Sequence, residues 1–199
     1  MSNLDYKKAT FLLSVAQLTQ LPPDEGFEVA FIGRSNAGKS SVLNRLTQNL
    51  KLARVSKTPG RTQHINVFVL DAQRRLMDLP GYGYAKVPPK VKAHWQKTLD
   101  TYLQVRECLQ GLVLVMDIRH PLSPLDQHLL TWATACNLRV HILLNKADKL
   151  SSLATKKSFS EVSQFIENIS HLVSCQTFSA SKNTGLVELK NRLDMWFID

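Results

Sequence analysis

The segment Gly33-Arg34-Ser35-Asn36-Ala37-Gly38-Lys39-Ser40 constrains this chain more than any other. It is a complete G-x-x-x-x-G-K-S loop, and its flanks suit it. The apolar run Phe27 to Ile32 reads as a buried strand, and Ser41 to Leu50 as the helix that follows. A strand, a glycine-rich turn and a helix N-terminus make an anion site, because backbone N–H groups point inward and the helix dipole adds partial positive charge. Lys39 supplies a full charge for β- and γ-phosphates, and Ser40 is the hydroxyl such loops offer to a magnesium ion. The expected ligand is a nucleoside triphosphate.

A second apolar run, Val140 to Leu144, ends in Asn145-Lys146-Ala147-Asp148. A carboxylate held edge-on to guanine accepts from both N1–H and the 2-amino group. Adenine has a lone pair at N1 and no 2-amino group, so it would leave that carboxylate unpaired, and a site built on hydrogen bonds rejects an analogue lacking them. GTP and GDP are therefore the expected ligands. Gln176-Thr177-Phe178 leads into Ser179-Ala180-Ser181, whose backbone N–H groups could reach the guanine O6, although this stretch also reads as an ordinary strand-to-helix turn.

Parts that sense the γ-phosphate are expected between these two. Asp78-Leu79-Pro80-Gly81 is a D-x-x-G signature, its aspartate holding magnesium through water and its glycine turning an N–H onto the γ-phosphate. Upstream, the polar segment Ser56-Lys57-Thr58-Pro59-Gly60-Arg61-Thr62 reads as a loop. Thr62 is the choice for a second magnesium ligand, with Thr58 as the alternative; a plain flexible connector is the competing reading of the segment.

The expected fold is α/β, a phosphate-loop NTPase of the Ras-like G-domain type. Its sheet is expected to have six strands, mostly parallel with one antiparallel strand, and helices on both faces. Strands are predicted at 27–32, 65–70, 74–78, 111–117, 139–144 and 172–178, and helices at 39–48, 90–106, 123–136, 151–169 and 184–197. The short turn Asp71-Ala72-Gln73 makes 65–70 and 74–78 an antiparallel pair. One domain is expected over 1–199, an N-terminal extension at 1–26 preceding a nucleotide-binding core at 27–199.

Cys108, Cys136 and Cys175 are scattered and odd in number, which suits a reducing cytosol. Lys7 and Lys8 before Phe11 to Ala16 imitate a signal peptide only faintly, and no stretch reaches the ~18 apolar residues of a membrane span. A cytoplasmic monomer is expected. Charge narrows the partner: residues 34–97 hold thirteen Lys or Arg against two acids, +11, so the rest of the +9 chain is at −2. Lys51, Arg54, Lys57 and Arg61 precede D-x-x-G, and Lys86, Lys90, Lys92 and Lys97 follow it. A basic surface on the segments that respond to the γ-phosphate suggests a polyanion bound according to nucleotide state; a solvated basic face without a partner is the alternative.

Together, Gly33 to Ser41, Ser56 to Gln63 and the string Asp78-Leu79-Pro80-Gly81-Tyr82-Gly83-Tyr84-Ala85 resemble the EngB-type bacterial GTPases of the Era-like group, from about Phe11 onward. The resemblance implies a magnesium-dependent GTPase needed for assembly of the large ribosomal subunit and linked to septation and cell division, with ribosomal RNA rather than DNA as partner. It carries nucleotide contacts onto Gly33 to Ser40, Gly60, Arg61, Thr62, Gln63, His64, Asp78, Leu79, Pro80, Gly81, Asn145 to Asp148, Phe178, Ser179 and Ala180, and magnesium ligation onto Ser40 and Thr62. The alternative is a regulatory switch aimed chiefly at a division protein.

Two residues bear on mechanism. Ras-like switches follow D-x-x-G with a water-orienting glutamine, whereas this chain has Tyr82, whose single hydroxyl and bulky ring cannot copy paired donor and acceptor geometry. Slow intrinsic hydrolysis is expected, with the general base unassigned. Asn36 raises a potassium ion beside the phosphates as a further candidate cofactor, since asparagine at this loop position serves that purpose in some related GTPases; the alternative is that Asn36 only stabilises the turn.

Overall fold

The run that precedes the glycine-rich loop forms the centre of the sheet. In β2 (Phe27–Gly33) every residue from Glu28 onward is buried, which suits a central strand of a parallel sheet covered on both faces. The computed structural model describes residues 4–53, 64–83 and 89–198, the side chains of 89–96 excepted. Its other strands are β1 (Thr10–Val15), β3 (Ile65–Val69), β4 (Arg74–Asp78), β5 (Leu109–Asp117), β6 (Val140–Asn145) and β7 (Val173–Thr177). The helices are α1 (Lys39–Thr47), α2 (Pro89–Val105), α3 (Pro124–Ala135), α4 (Ser152–Glu167) and α5 (Leu186–Trp196).

The strands form one sheet in the order β1-β3-β4-β2-β5-β6-β7. The β2–β4, β2–β5, β5–β6 and β6–β7 pairs are parallel. As the short turn predicts, β3 and β4 are antiparallel, with Asn66 opposite Asp78. The Asp71 carboxylate sets that turn by accepting from the N–H groups of Gln73 at 2.9 Å and Arg74 at 3.0 Å.

The sheet has seven strands, not the expected six. The seventh, β1, comes from residues assigned to the N-terminal extension and runs antiparallel to β3. Because β3 is itself reversed, β1 points the same way as the remaining strands, and among the described residues β3 is the single antiparallel strand. The reason β1 escaped sequence reading is physical. It is an edge strand, mostly exposed until Val15, and Phe11-Leu12-Leu13 breaks the alternation that marks a half-buried strand.

Side chains of β2 alternate between two cores. Val29 and Phe31 pack with Val42, Leu43 and Leu46 of α1 and Leu189, Leu193 and Trp196 of α5. Ala30 and Ile32 pack on the other face with Leu99, Tyr102 and Leu103 of α2, Leu129 and Leu130 of α3, and Val162 and Ile166 of α4. Burying each large aliphatic side chain contributes about 1.5–3 kcal/mol. At the end of β2 remote from the glycine-rich loop, the wholly buried Glu28 carboxylate accepts from Arg106 Nε at 2.9 Å and Nη2 at 2.7 Å, and from the Tyr102 hydroxyl at 3.1 Å. Arg75 Nε lies 3.0 Å away on the same carboxylate. Among the described residues no helix is long and apolar enough to cross a membrane.

Candidate nucleotide-binding site

The glycine-rich loop lies between the end of β2 and the start of α1, as its sequence requires. Asn36 takes a left-handed conformation, φ 68°, which suits its reading as a turn former. Ala37 N–H donates to the Arg34 carbonyl at 2.9 Å, and the Gly38 carbonyl accepts the first bond of α1, from Val42 N–H at 2.9 Å. Gly38 stands at φ +100°, and a Cβ there would lie 2.3 Å from Asn145 Nδ2. Only glycine meets both conditions. Lys39 and Ser40 open α1, where its unpaired N–H groups and dipole are strongest.

Parallel pairing of β2 with β4 brings D-x-x-G to this loop. Asp78 lies opposite Phe31 and is 3% exposed. One oxygen of its carboxylate pairs with the Lys39 ammonium, and the other accepts from Asn66 Nδ2 at 3.2 Å. The Ser40 hydroxyl and the Asp78 carboxylate are both hard oxygen donors, the type that suits magnesium. Leu79 and Pro80 are buried, and Leu79 N–H bonds the Phe31 carbonyl at 2.9 Å, so these two residues offer a ligand only backbone.

The parallel β5–β6–β7 ladder delivers the third element. Asn145 donates to the Ala37 carbonyl at 2.9 Å, and its Oδ1 receives a long contact from Ala180 N–H at 3.4 Å. Lys146 donates to the Asn36 carbonyl at 2.6 Å and to Asp117 Oδ2 at 2.9 Å. Asp117 also accepts from Arg119 Nη2 at 2.6 Å. Burial works to raise the Asp117 pKa, but the bonds from Arg119 and Lys146 prevail and hold the carboxyl well below its ordinary range. Ser179 Oγ donates to Asp148 Oδ1 at 2.6 Å, which lowers the Asp148 pKa and keeps it an acceptor. Ala147 N–H bonds the Phe178 carbonyl at 3.1 Å; the Phe178 ring is fully buried, so it too serves through backbone. Gly38, Asn145, Lys146, Asp148, Ala180 and Ser181 border an open cleft of about 380 Å³.

The phosphate loop, D-x-x-G, N-K-x-D and the Phe178-Ser179-Ala180 turn thus converge at the C-terminal ends of the parallel strands, where open α/β sheets place ligands. His64 stands exposed just before β3. Thr58, Gly60, Arg61, Thr62 and Gln63 lie outside the described residues, as do Arg54, Lys57 and Lys86. Sequence reasoning missed Asp117, Asn66 and Arg45, whose Nε donates to the Ala180 carbonyl at 2.7 Å. None belongs to a short motif; each is set by strand register or by a helix face. Tyr82 does not stand free beside the loop: its hydroxyl bonds the Asp126 carboxylate of α3.

Known proteins resemble this chain in sequence and in fold. Residues 28–146 match the family model described as 50S ribosome-binding GTPase. A probable GTP-binding protein EngB of Coxiella burnetii is 54% identical over 192 residues, 96% of this chain and 94% of that protein. Among solved structures, a probable GTP-binding protein engB superposes with a TM-score of 0.70 at 23% identity, over 85% of this chain and 98% of that one. Era in complex with MgGDPNP and nucleotides 1506–1542 of 16S ribosomal RNA gives 0.68 at 20% identity, over 86% of this chain and 57% of that one. At these identities the two structures speak for the fold alone. The matched domain and the near-full-length identity show that the chain is a GTPase, and that it belongs to the EngB family of GTP-binding proteins.

Proposed function

We propose that this GTPase acts in assembly of the large ribosomal subunit, in the cytoplasm, binding subunit precursors while loaded with GTP and leaving after hydrolysis, with normal septation depending on that supply. The observation that carries the nucleotide part is the double tie of N-K-x-D to the phosphate loop, Asn145 to Ala37 and Lys146 to Asn36. Asp148 accepts from guanine N1–H and the 2-amino group, backed by Ser179. Phosphates lie along Gly33 to Ser40 against Lys39, and Ser40 with Thr62 holds magnesium, which neutralises phosphate charge when bound. Gly81 offers its N–H to the γ-phosphate.

Support for the ribosomal partner is the description of the matching family model, which names the 50S particle, together with the basic excess in residues 34–97. Of the cations proposed to meet RNA, Lys51 is described and exposed. Lys90 and Lys92 fall in α2, without described side chains; Arg54, Lys57 and Lys86 lie outside the described residues.

The test is co-sedimentation with large subunits across a salt series, with GDP and with a non-hydrolysable GTP analogue. Binding should favour the analogue and weaken with a log–log salt slope of about −0.7 to −0.9 per phosphate contact. Replacing two of these lysines should reduce the slope by about two. Equal binding with both nucleotides, or a flat salt response, sinks the proposal. Depletion followed by ribosome-profile sedimentation separates it from a division switch, which predicts normal subunits with blocked septa.

A further inference from the structure

The turn that carries Asp148 also borders a second cleft. Ala147 and Asp148 contribute one wall, Thr155, Lys156 and Phe159 of α4 another, and Thr177, Lys182 and Thr184, at the end of β7 and in the turn to α5, a third. The cleft is open and holds about 560 Å³, within the roughly 300–1,000 Å³ typical of ligand sites.

The sequence of α4 accounts for it. Residues 152, 155, 156 and 159 recur at three- and four-residue intervals and so share a face. Further along, that face carries Val162 and Ile166, which are buried in the core. Its N-terminal half carries hydroxyls, a lysine and an aromatic ring instead. Phe159 is 36% exposed although it lies on the stripe that turns toward the core, so its ring is presented to the cleft rather than spent on packing.

The charge is cationic. Lys156 and Lys182 line the cleft and are both exposed. From Lys149 to Ser160 the chain holds three lysines and no acid, although the residues outside 34–97 stand at −2 as a whole. Among the described residues, no ion pair involves Lys156 or Lys182. The acid on the wall, Asp148, is already engaged, by Ser179 Oγ at 2.6 Å and Lys149 Nζ at 3.5 Å.

Sites for unpaired nucleic acid combine cations that follow the phosphates with an aromatic face on which a base stacks. An acidic peptide would use the lysines and leave the ring idle. We propose that this cleft binds single-stranded RNA, one base stacking on Phe159 and the flanking phosphates lying against Lys156 and Lys182. The site rests on the ribosomal RNA partner proposed above and extends it. Its walls come from the N-K-x-D turn, α4 and the turn to α5, and from neither the phosphate loop nor D-x-x-G. This contact is therefore insensitive to the γ-phosphate, in contrast to the basic surface around D-x-x-G.

The test is fluorescence anisotropy of a labelled oligouridine with the full chain, loaded with GDP or with a non-hydrolysable GTP analogue, across a salt series. Wild type should bind equally in both states. Lys156→Ala combined with Lys182→Ala should lower the salt slope by about 1.4, at ~0.7 per phosphate contact on a single strand. Lys7→Ala combined with Lys8→Ala, the same charge change on β1's side of the sheet, should not. Phe159→Leu keeps apolar bulk and should weaken binding about tenfold with the slope unchanged, the equivalent of one base unstacked; Phe159→Tyr should restore it. GDP affinity should stay within about twofold throughout, which shows the guanine site intact. Equal losses for the two lysine pairs, no effect of Phe159→Leu, binding confined to the analogue-loaded form, or displacement by polyglutamate as readily as by unlabelled oligouridine each overturns the site. If GTP-dependent co-sedimentation with large subunits persists while oligouridine fails to bind, the cleft assignment falls alone; if both are absent, the RNA reading falls with it.

Discussion

Asn145 donates its side-chain amide to the carbonyl of Ala37 across 2.9 Å, fastening the end of β6 to the middle of the phosphate loop. The elements proposed to read the base and the phosphates are thereby tied together, and damage at either end should be felt at the other.

Gly38→Ala tests that coupling. The new Cβ meets Asn145 Nδ2 at 2.3 Å with backbone at φ +100°, so either the loop or Asn145 must shift. The strain should cost about 1–3 kcal/mol of stability, read as a lower thermal midpoint. Titration with fluorescent GDP should show an affinity loss of up to about a hundredfold, the equivalent of that strain. Binding within a factor of two of wild type contradicts the geometry.

Asp148→Asn exchanges a double acceptor for one acceptor and one donor. Competition among GTP, XTP and ATP should show guanine affinity falling by about two orders of magnitude or more and xanthine becoming the preferred base. The Ser179 hydroxyl, 2.6 Å from Asp148, can rotate to serve the amide oxygen, so the variant should remain folded. Equal wild-type affinity for ATP and GTP refutes the base assignment.

Much of this site is legible in sequence because its parts are contiguous. Gly33 to Ser40, Asp78 to Gly81 and Asn145 to Asp148 each carry their chemistry within a few residues and end a strand that sequence pattern reveals. What stays hidden depends on register and side-chain direction. Asp117 is a lone aspartate until β5–β6 pairing sets it beside Asn145 and within 2.9 Å of Lys146. Asn66 gains meaning only opposite Asp78. The composition of Tyr82 shows that it cannot act as glutamine, yet only packing shows that its hydroxyl has gone to Asp126. The start of β5 moves from the expected 111 to Leu109 because the register shifts between Glu28 and Val29, skipping Gln110 and letting Leu109 pair with Glu28.

Glu28→Gln probes the far end of β2. Arg106 and Arg75, with side chains 8% and 13% exposed, would face a neutral amide in place of a carboxylate. Breaking such a buried pair typically costs about 3–5 kcal/mol. Urea unfolding should show that loss, while GDP affinity of the folded fraction remains near wild type, because the substitution lies at the opposite end of the strand from the phosphate loop.

His141 predicts a pH dependence. Its ring is buried against Trp196, with Nδ1 2.8 Å from Ser174 Oγ and Nε2 2.9 Å from Gln176 Oε1. Burial pushes its pKa down to about 4; the Gln176 bond resists, and the charge of Arg192 adds to the depression. The fold favours neutral imidazole, whereas the unfolded chain takes a proton near pH 6.5, so this stability is full above that value and is lost as pH falls toward 4. Between pH 7 and 5 the loss should be about 2 kcal/mol. Denaturation of wild type and His141→Gln at both pH values measures it: the variant's decline should be shallower by that amount, and parallel declines contradict the assignment.

The pairing of β1 with β3 bears on how the protein avoids self-association. Without Thr10–Val15, the reversed strand β3 would border the sheet with Val67 and Phe68 beside a row of unsatisfied peptide groups, an open template for another chain. In place, the added strand presents its own outer edge between the cations Lys7 and Lys8 and the polar Gln17, Thr19 and Gln20. Thr10–Val15 thus covers that edge, and a chain shortened past Val15 should be lost to aggregation before its chemistry fails.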